Sequence, residues 1–94
     1  MISEIKNIIK EFGSFSTYDL ELDNSPTIPS YGNLVHLIDY FNLDNVEVEV
    51  YLSGGESPID EYTLPYEELS EELLFSIFKL AIKWKDNCTE LALN

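Results

Sequence analysis

The segment Val46-Glu47-Val48-Glu49-Val50 constrains the fold more than any other part of the chain. Alternation of β-branched and charged residues puts the three valines on one face of an extended strand and both carboxylates on the other. Such a strand is half buried, so it needs neighbouring strands beside it and an apolar layer over its valine face. The C-terminal part of the chain offers that layer. Over 70–86, Leu73, Ile77, Leu80 and Trp84 form an apolar stripe at helical spacing, widened by Leu74, Phe78 and Ala81. Ser70 stands where an N-cap is needed, Leu69 and Leu74 are placed for a hydrophobic staple, and Glu71 and Glu72 suit the positive end. Beyond 87 the tail is expected to fray, although Leu91 and Leu93 could dock.

The remaining segments complete a small mixed fold. A first helix is predicted near the start, with Ser3 as cap and Ile5, Ile8, Ile9 and Phe12 at helical spacing, stopped by Gly13. Over 15–23 the pattern alternates, Tyr18, Leu20 and Leu22 against Thr17, Asp19, Glu21 and Asp23, and predicts a half-buried strand. The segment 24–32 holds two prolines, two serines and a glycine, and reads as a loop. The stretch 34–43 carries two readings. Leu34, Leu37, Ile38 and Phe41 fit an amphipathic helix. A hairpin also fits, with Asp44-Asn45 as a two-residue turn, Leu43 facing Val46, Phe41 facing Val48, and Asp39 opposite Val50 as the one polar group on the apolar face. The hairpin is preferred because it gives 46–52 an adjacent partner. After the Gly54-Gly55 turn region, 59–64 predicts another strand, closed by Pro65. With 94 residues the chain is too short for two cores. The expected architecture is α+β: residues 1–94 as a single small domain with a mainly antiparallel sheet of three or four strands. The N-terminal helix and the longer C-terminal helix cover one face. Val46, Val48, Val50, Tyr18, Leu20, Leu22 and the helix stripe would form the core.

Charge is placed unevenly along this order. Eighteen acidic residues stand against five basic ones, a net charge of −13. Residues 14–72 hold fourteen of the carboxylates and no lysine or arginine. The helices are near neutral, so the acidity belongs to the sheet and its loops. Extended geometry would space Asp19, Glu21 and Asp23, and likewise Glu47 and Glu49, by ~6.7 Å along their strands. Neighbouring strands would join them into one carboxylate array. Tyr40 and Tyr51 fall on the same side in the hairpin register, and tyrosine among acids suits a protein interface, where rings anchor and charge steers.

Little points to catalysis. Asp19, Glu21, Asp23 and Asn24 resemble a calcium loop only loosely, because Asn24 stands where glycine is required and Ser30 where glutamate is. Pairing His36 with Cys88 would need the C-terminal tail to fold back onto the sheet, with a carboxylate to orient the histidine. Gly54-Gly55 lacks the lysine and the helix of a phosphate-binding loop. One cysteine cannot build an internal disulfide framework. The acidic balance opposes direct contact with nucleic acid or anionic membranes. No basic segment followed by an apolar run opens the chain, which predicts a cytoplasmic setting.

At Asn24-Ser25-Pro26, Gly32, residues 46–51, Ile59-Asp60-Glu61-Tyr62 and Tyr66-Glu67-Glu68-Leu69, the chain resembles a set of small, uncharacterised acidic bacterial proteins. The resemblance implies a bacterial cytosolic protein of α+β fold and brings no activity with it. Together these readings predict a non-enzymatic protein without cofactor or metal, monomeric or weakly dimeric. Its partner would be a basic protein, met through Asp19, Glu21, Asp23, Glu47, Glu49 and Tyr51. An inhibitor, an immunity-type protein and a nucleic-acid mimic are specific forms of that expectation. The alternative is a structural, self-associating domain whose charge serves only solubility.

Overall fold

The computed structural model describes residues 1–22, 36–52 and 56–93, with side chains throughout except at 36–38 and 92–93. In chain order it contains α1 (Ile2–Phe12), β1 (Phe15–Ser16), β2 (His36–Phe41), β3 (Asn45–Tyr51), β4 (Asp60–Pro65), a 3₁₀ turn (Tyr66–Glu68) and α2 (Glu71–Leu93). The strands form one antiparallel sheet in the order β1-β2-β3-β4. Val46, Val48 and Val50 are buried on one face, together with Phe15 and Phe41. Ile5 and Ile9 from α1 and Leu74, Ile77 and Ala81 from α2 join them in one core, so both helices cover that face. The α+β architecture follows from the alternation in β3 and the stripe of α2.

α2 starts as the sequence indicates. The Ser70 hydroxyl accepts from the Leu73 amide at 3.2 Å, and Leu69 packs against the core that holds Leu74. It does not stop near Asp86 but runs to Leu93, with Leu91 exposed rather than docked. No glycine or proline follows Pro65, so nothing in the chain breaks the helix. α1 begins two residues earlier than the Ser3 cap implies. Met1 is its N-cap, its carbonyl accepting from the Ile5 amide at 3.1 Å, which leaves Ser3 inside the first turn. Gly13 ends α1 with φ +94°, a conformation glycine adopts without strain, and its amide donates to the Ile9 carbonyl.

The hairpin reading of 34–43 holds over β2, while its register differs from the expected one by two residues. Phe41 lies opposite Val46, Tyr40 opposite Glu47, and Asp39 opposite Val48. A two-residue turn at Asp44-Asn45 does not form. Instead the Asn42 carboxamide Oδ1 accepts from the amides of Asp44 and Asn45, and the Asn42 amide donates to the Asn45 carbonyl. This closes the connection of residues 42–44 between β2 and β3. A shift of two keeps every side chain on its predicted face. Asp39 therefore still points into the core, and it is 2% exposed.

The strand expected over 15–23 is cut to two residues, and Tyr18, expected in the core, is 75% exposed. The cause is a reciprocal Ser16–Asp19 lock. The Asp19 carboxylate accepts from the Ser16 amide and hydroxyl, and the Asp19 amide donates back to the Ser16 hydroxyl. Glu21 then takes φ +52°, which breaks the alternation. The turn still delivers Leu20 to the core and leaves Leu22 half buried against it. Asp23, the loop at 24–32 and the Gly54-Gly55 turn lie outside the described residues.

Tyr66 ties the end of β4 back to the β2–β3 connection. Its ring is fully buried, and its hydroxyl donates to the Asn42 carbonyl at 2.8 Å, fixing the 3₁₀ turn to the β2–β3 connection. Burial pushes its phenol well above the ordinary tyrosine value.

Candidate partner-binding face

The sheet face turned away from the helices is built by the same alternation that buries the valines. On β3 it carries Glu47, Glu49 and Tyr51; antiparallel pairing adds Tyr40 from β2 opposite Glu47, and Glu61 and Thr63 from β4 opposite Glu49 and Glu47. Glu47, Glu49, Glu61 and Thr63 border a shallow depression of about 280 Å³ between β3 and β4. The Tyr51 hydroxyl donates to Glu49 Oε2 at 2.8 Å. That bond, then burial and the surrounding negative charge including Glu61, hold the Tyr51 phenol above its ordinary value. All five cations of the chain lie on α1 and α2, across the sheet from this face.

The six residues singled out from sequence are thus divided. Glu47, Glu49 and Tyr51 share the outer face. Asp19 and Glu21 do not join them. β1 is separated from β3 by β2, and the turn after β1 turns both residues toward the end of α2, where they border a different depression with Asn87, Glu90 and Leu91. Asp23 is outside the described residues. Sequence reading missed Glu61, since 59–64 lacks a clean alternation. Its position follows only from the β3–β4 register.

Glu49 and Glu61 stand directly opposite each other, an arrangement that opposes folding. Replacing Glu61 by glutamine is expected to stabilise the protein by roughly 0.2–1 kcal/mol, with the gain shrinking as salt rises. Urea unfolding at low and high ionic strength checks this. A loss of stability, or a gain indifferent to salt, would show that the pair does not repel.

The chemistry of this face is electrostatic. Carboxylates and phenols accept and donate hydrogen bonds to cationic side chains, and rings add stacking surface for arginine. Among the described residues, no group of three or more His, Cys, Asp or Glu side chains is placed to hold a metal ion. Cys88 is a half-buried free thiol on α2, and the side chain of His36 is not among those described. No helix of the described residues is long and apolar enough to cross a membrane. No family model matches the chain, and no curated protein or solved structure matches it either.

Proposed function

We propose that the chain is a small, non-enzymatic acidic binding protein whose outer sheet face docks a basic protein surface. The observation that supports this most is the grouping of Glu47, Glu49 and Glu61 with Tyr40 and Tyr51 on one face, with every cation of the chain carried by the helices opposite. The like-charge pair Glu49–Glu61 favours the same reading, because an oppositely charged partner would relieve a repulsion that the free protein bears. Inhibition of a nucleic-acid-binding protein, as an immunity-type partner or a nucleic-acid mimic, is a form this chemistry suits, in the bacterial cytoplasm that the resemblance implies.

The test compares the native chain with a variant carrying Glu47→Lys, Glu49→Lys and Glu61→Lys, and with a control reversing Glu4 and Glu11 on α1. Each is used to capture basic proteins at about 50 mM and 300 mM salt, where screening differs strongly. Capture should fall with salt, vanish in the sheet-face variant and survive in the helix control. Capture indifferent to salt, or equal in both variants, overturns the proposal. Concentration-dependent sedimentation without any basic partner would favour the self-associating alternative.

A further inference from the structure

We propose that residues 15–22, β1 with the turn that follows it, form a flap that opens from the sheet when the buried Asp39 loses its proton. The inference does not rest on the docking reading, because Asp39 lies on the core face and Glu47, Glu49 and Glu61 on the other. Asp39 is 2% exposed, and its buried Oδ1 meets no hydrogen-bond donor. A neutral carboxylic acid tolerates such a place at modest cost. A carboxylate needs water or a counter-charge, and burial withholds the first. No counter-charge faces it from the elements around. On β3 the opposite residue is Val48, flanked by Glu47 and Glu49 on the outer face, and on β4 Tyr62 follows, its hydroxyl donating to Asp60. On the flap, Asp19 is engaged with Ser16, and Glu21 is exposed. Every charged side chain of α1 and α2 is exposed except Lys6, which lies 3.7 Å from Glu67. The Tyr66 hydroxyl is bonded to the Asn42 carbonyl, and Cys88 is half buried on α2. Burial by itself therefore holds the Asp39 proton, raising the carboxyl from 3.8 to about 7.

When the proton leaves, the side of β2 that yields is set by the strength of its neighbours. β3 pairs with β2 from His36 to Phe41 and with β4 beyond, so parting them dismantles the sheet. β1 pairs with β2 through Phe15 and Ser16, and the Thr17 amide adds one bond to the Asp39 carbonyl at 3.1 Å. Thr17 thus continues the register directly beside Asp39. Local opening takes the element held by the fewest bonds, and here that element adjoins the buried acid. The flap is also closed on itself. Asp19 and Ser16 bond reciprocally, and the Leu22 amide donates to the Thr17 carbonyl, so the segment can part from β2 without losing its own turn. Gly13, with φ +94°, stands just upstream as the pivot. Opening withdraws Phe15 and Leu20 from the core, and their burial keeps the flap shut while Asp39 is neutral. The closed form is therefore favoured at low pH and loses ground as pH rises through about 7.

The experiment follows amide hydrogen exchange in the full chain at pH 5 and pH 8, corrected for intrinsic exchange, with and without urea below the unfolding transition. The Thr17 and Leu22 amides report the flap, and the amides of β3 report the whole sheet. Protection at Thr17 and Leu22 should fall by roughly ten- to a hundred-fold from pH 5 to pH 8, since the open form releases the proton that the closed form retains. Low urea should leave that exchange unchanged, because a flap exposes little surface, while it speeds exchange in β3. Asp39→Asn should abolish the pH dependence at the flap. His36→Gln, the control for the histidine on the same strand, should preserve it. Flap amides that exchange with the rate and urea dependence of β3 would show that Asp39 acts on global unfolding alone and overturn the proposal. A pH dependence that survives Asp39→Asn would overturn it as well. The urea comparison decides in the native chain, whatever the stability of the variants.

Discussion

Replacing Asp39 by asparagine will stabilise the protein at pH 8 and leave it nearly unchanged near pH 3. Asp39 is 2% exposed on the core side of β2, opposite the fully buried Val48, and its Oδ1 has no hydrogen-bond partner. Its carbonyl is occupied, accepting from the Thr17 amide at 3.1 Å, so the strand holds the residue in place while Oδ1 goes unpaired. Burial raises the carboxyl from 3.8 to about 7, and no neighbouring charge contributes. The folded protein thus holds this proton more tightly than the unfolded chain. Its stabilising effect is complete below pH 3.8, falls as pH rises through the interval up to about 7, and is gone above it. The shift corresponds to at most about 4 kcal/mol between the two limits.

Asparagine cannot ionise, but its amide still lacks a partner, so a net gain of about 1–3 kcal/mol at pH 8 is expected. Urea unfolding followed through Trp84, the one tryptophan, measures it at pH 5 and pH 8. Comparing the two proteins at the same pH isolates the contribution of Asp39. An equal gain at both pH values, or a loss at pH 8, would show that Asp39 is charged and satisfied in the folded protein.

Phe15→Ala is expected to remove about 3–5 kcal/mol, a large share of the stability of a domain this size. Phe15 is 1% exposed, with its ring 4.9 Å from that of Phe41 and stacked at 5.7 Å on Trp84. The Trp84 indole nitrogen donates to the Gly13 carbonyl at 3.1 Å, which ties α2 to the end of α1. The Phe15 ring therefore packs between β2 and α2, and its removal leaves a cavity between them. Tyr18→Ala is the matched control and should change stability by less than about 0.5 kcal/mol, because Tyr18 is exposed on the turn. Comparable losses in the two variants would mean that the chain forms the longer strand over 15–23 after all. Trp84 emission should shift to the red in Phe15→Ala even where the fold persists, since the indole loses its stacking partner.

Which side of the sheet the residues of β2 and β3 face was legible in the sequence. The valines of β3, the glutamates between them and the two tyrosines on the acidic side all follow from period two. A register error of two residues at the β2–β3 connection leaves that assignment untouched. The register itself was not legible, because it depended on Asn42 gathering the amides of Asp44 and Asn45. The alternation over 15–23 was misleading for a related reason. Asp19 satisfies the Ser16 amide locally, and that hydrogen bond outweighs the extended pattern of Leu20 and Leu22.

The sequence by itself determined that acidity belongs to the middle of this chain and cations to its helices, because residue order fixes which element carries each charge. It also determined that Glu47 and Glu49 face away from the core. Only the tertiary structure decided which carboxylates share a surface, since that depends on backbone pairing between segments distant in the chain. β3–β4 pairing brings Glu61 opposite Glu49, and β2 separates Asp19 and Glu21 from both. The surface proposed to bind is therefore smaller than the charge count suggests, and it ends at a strand edge.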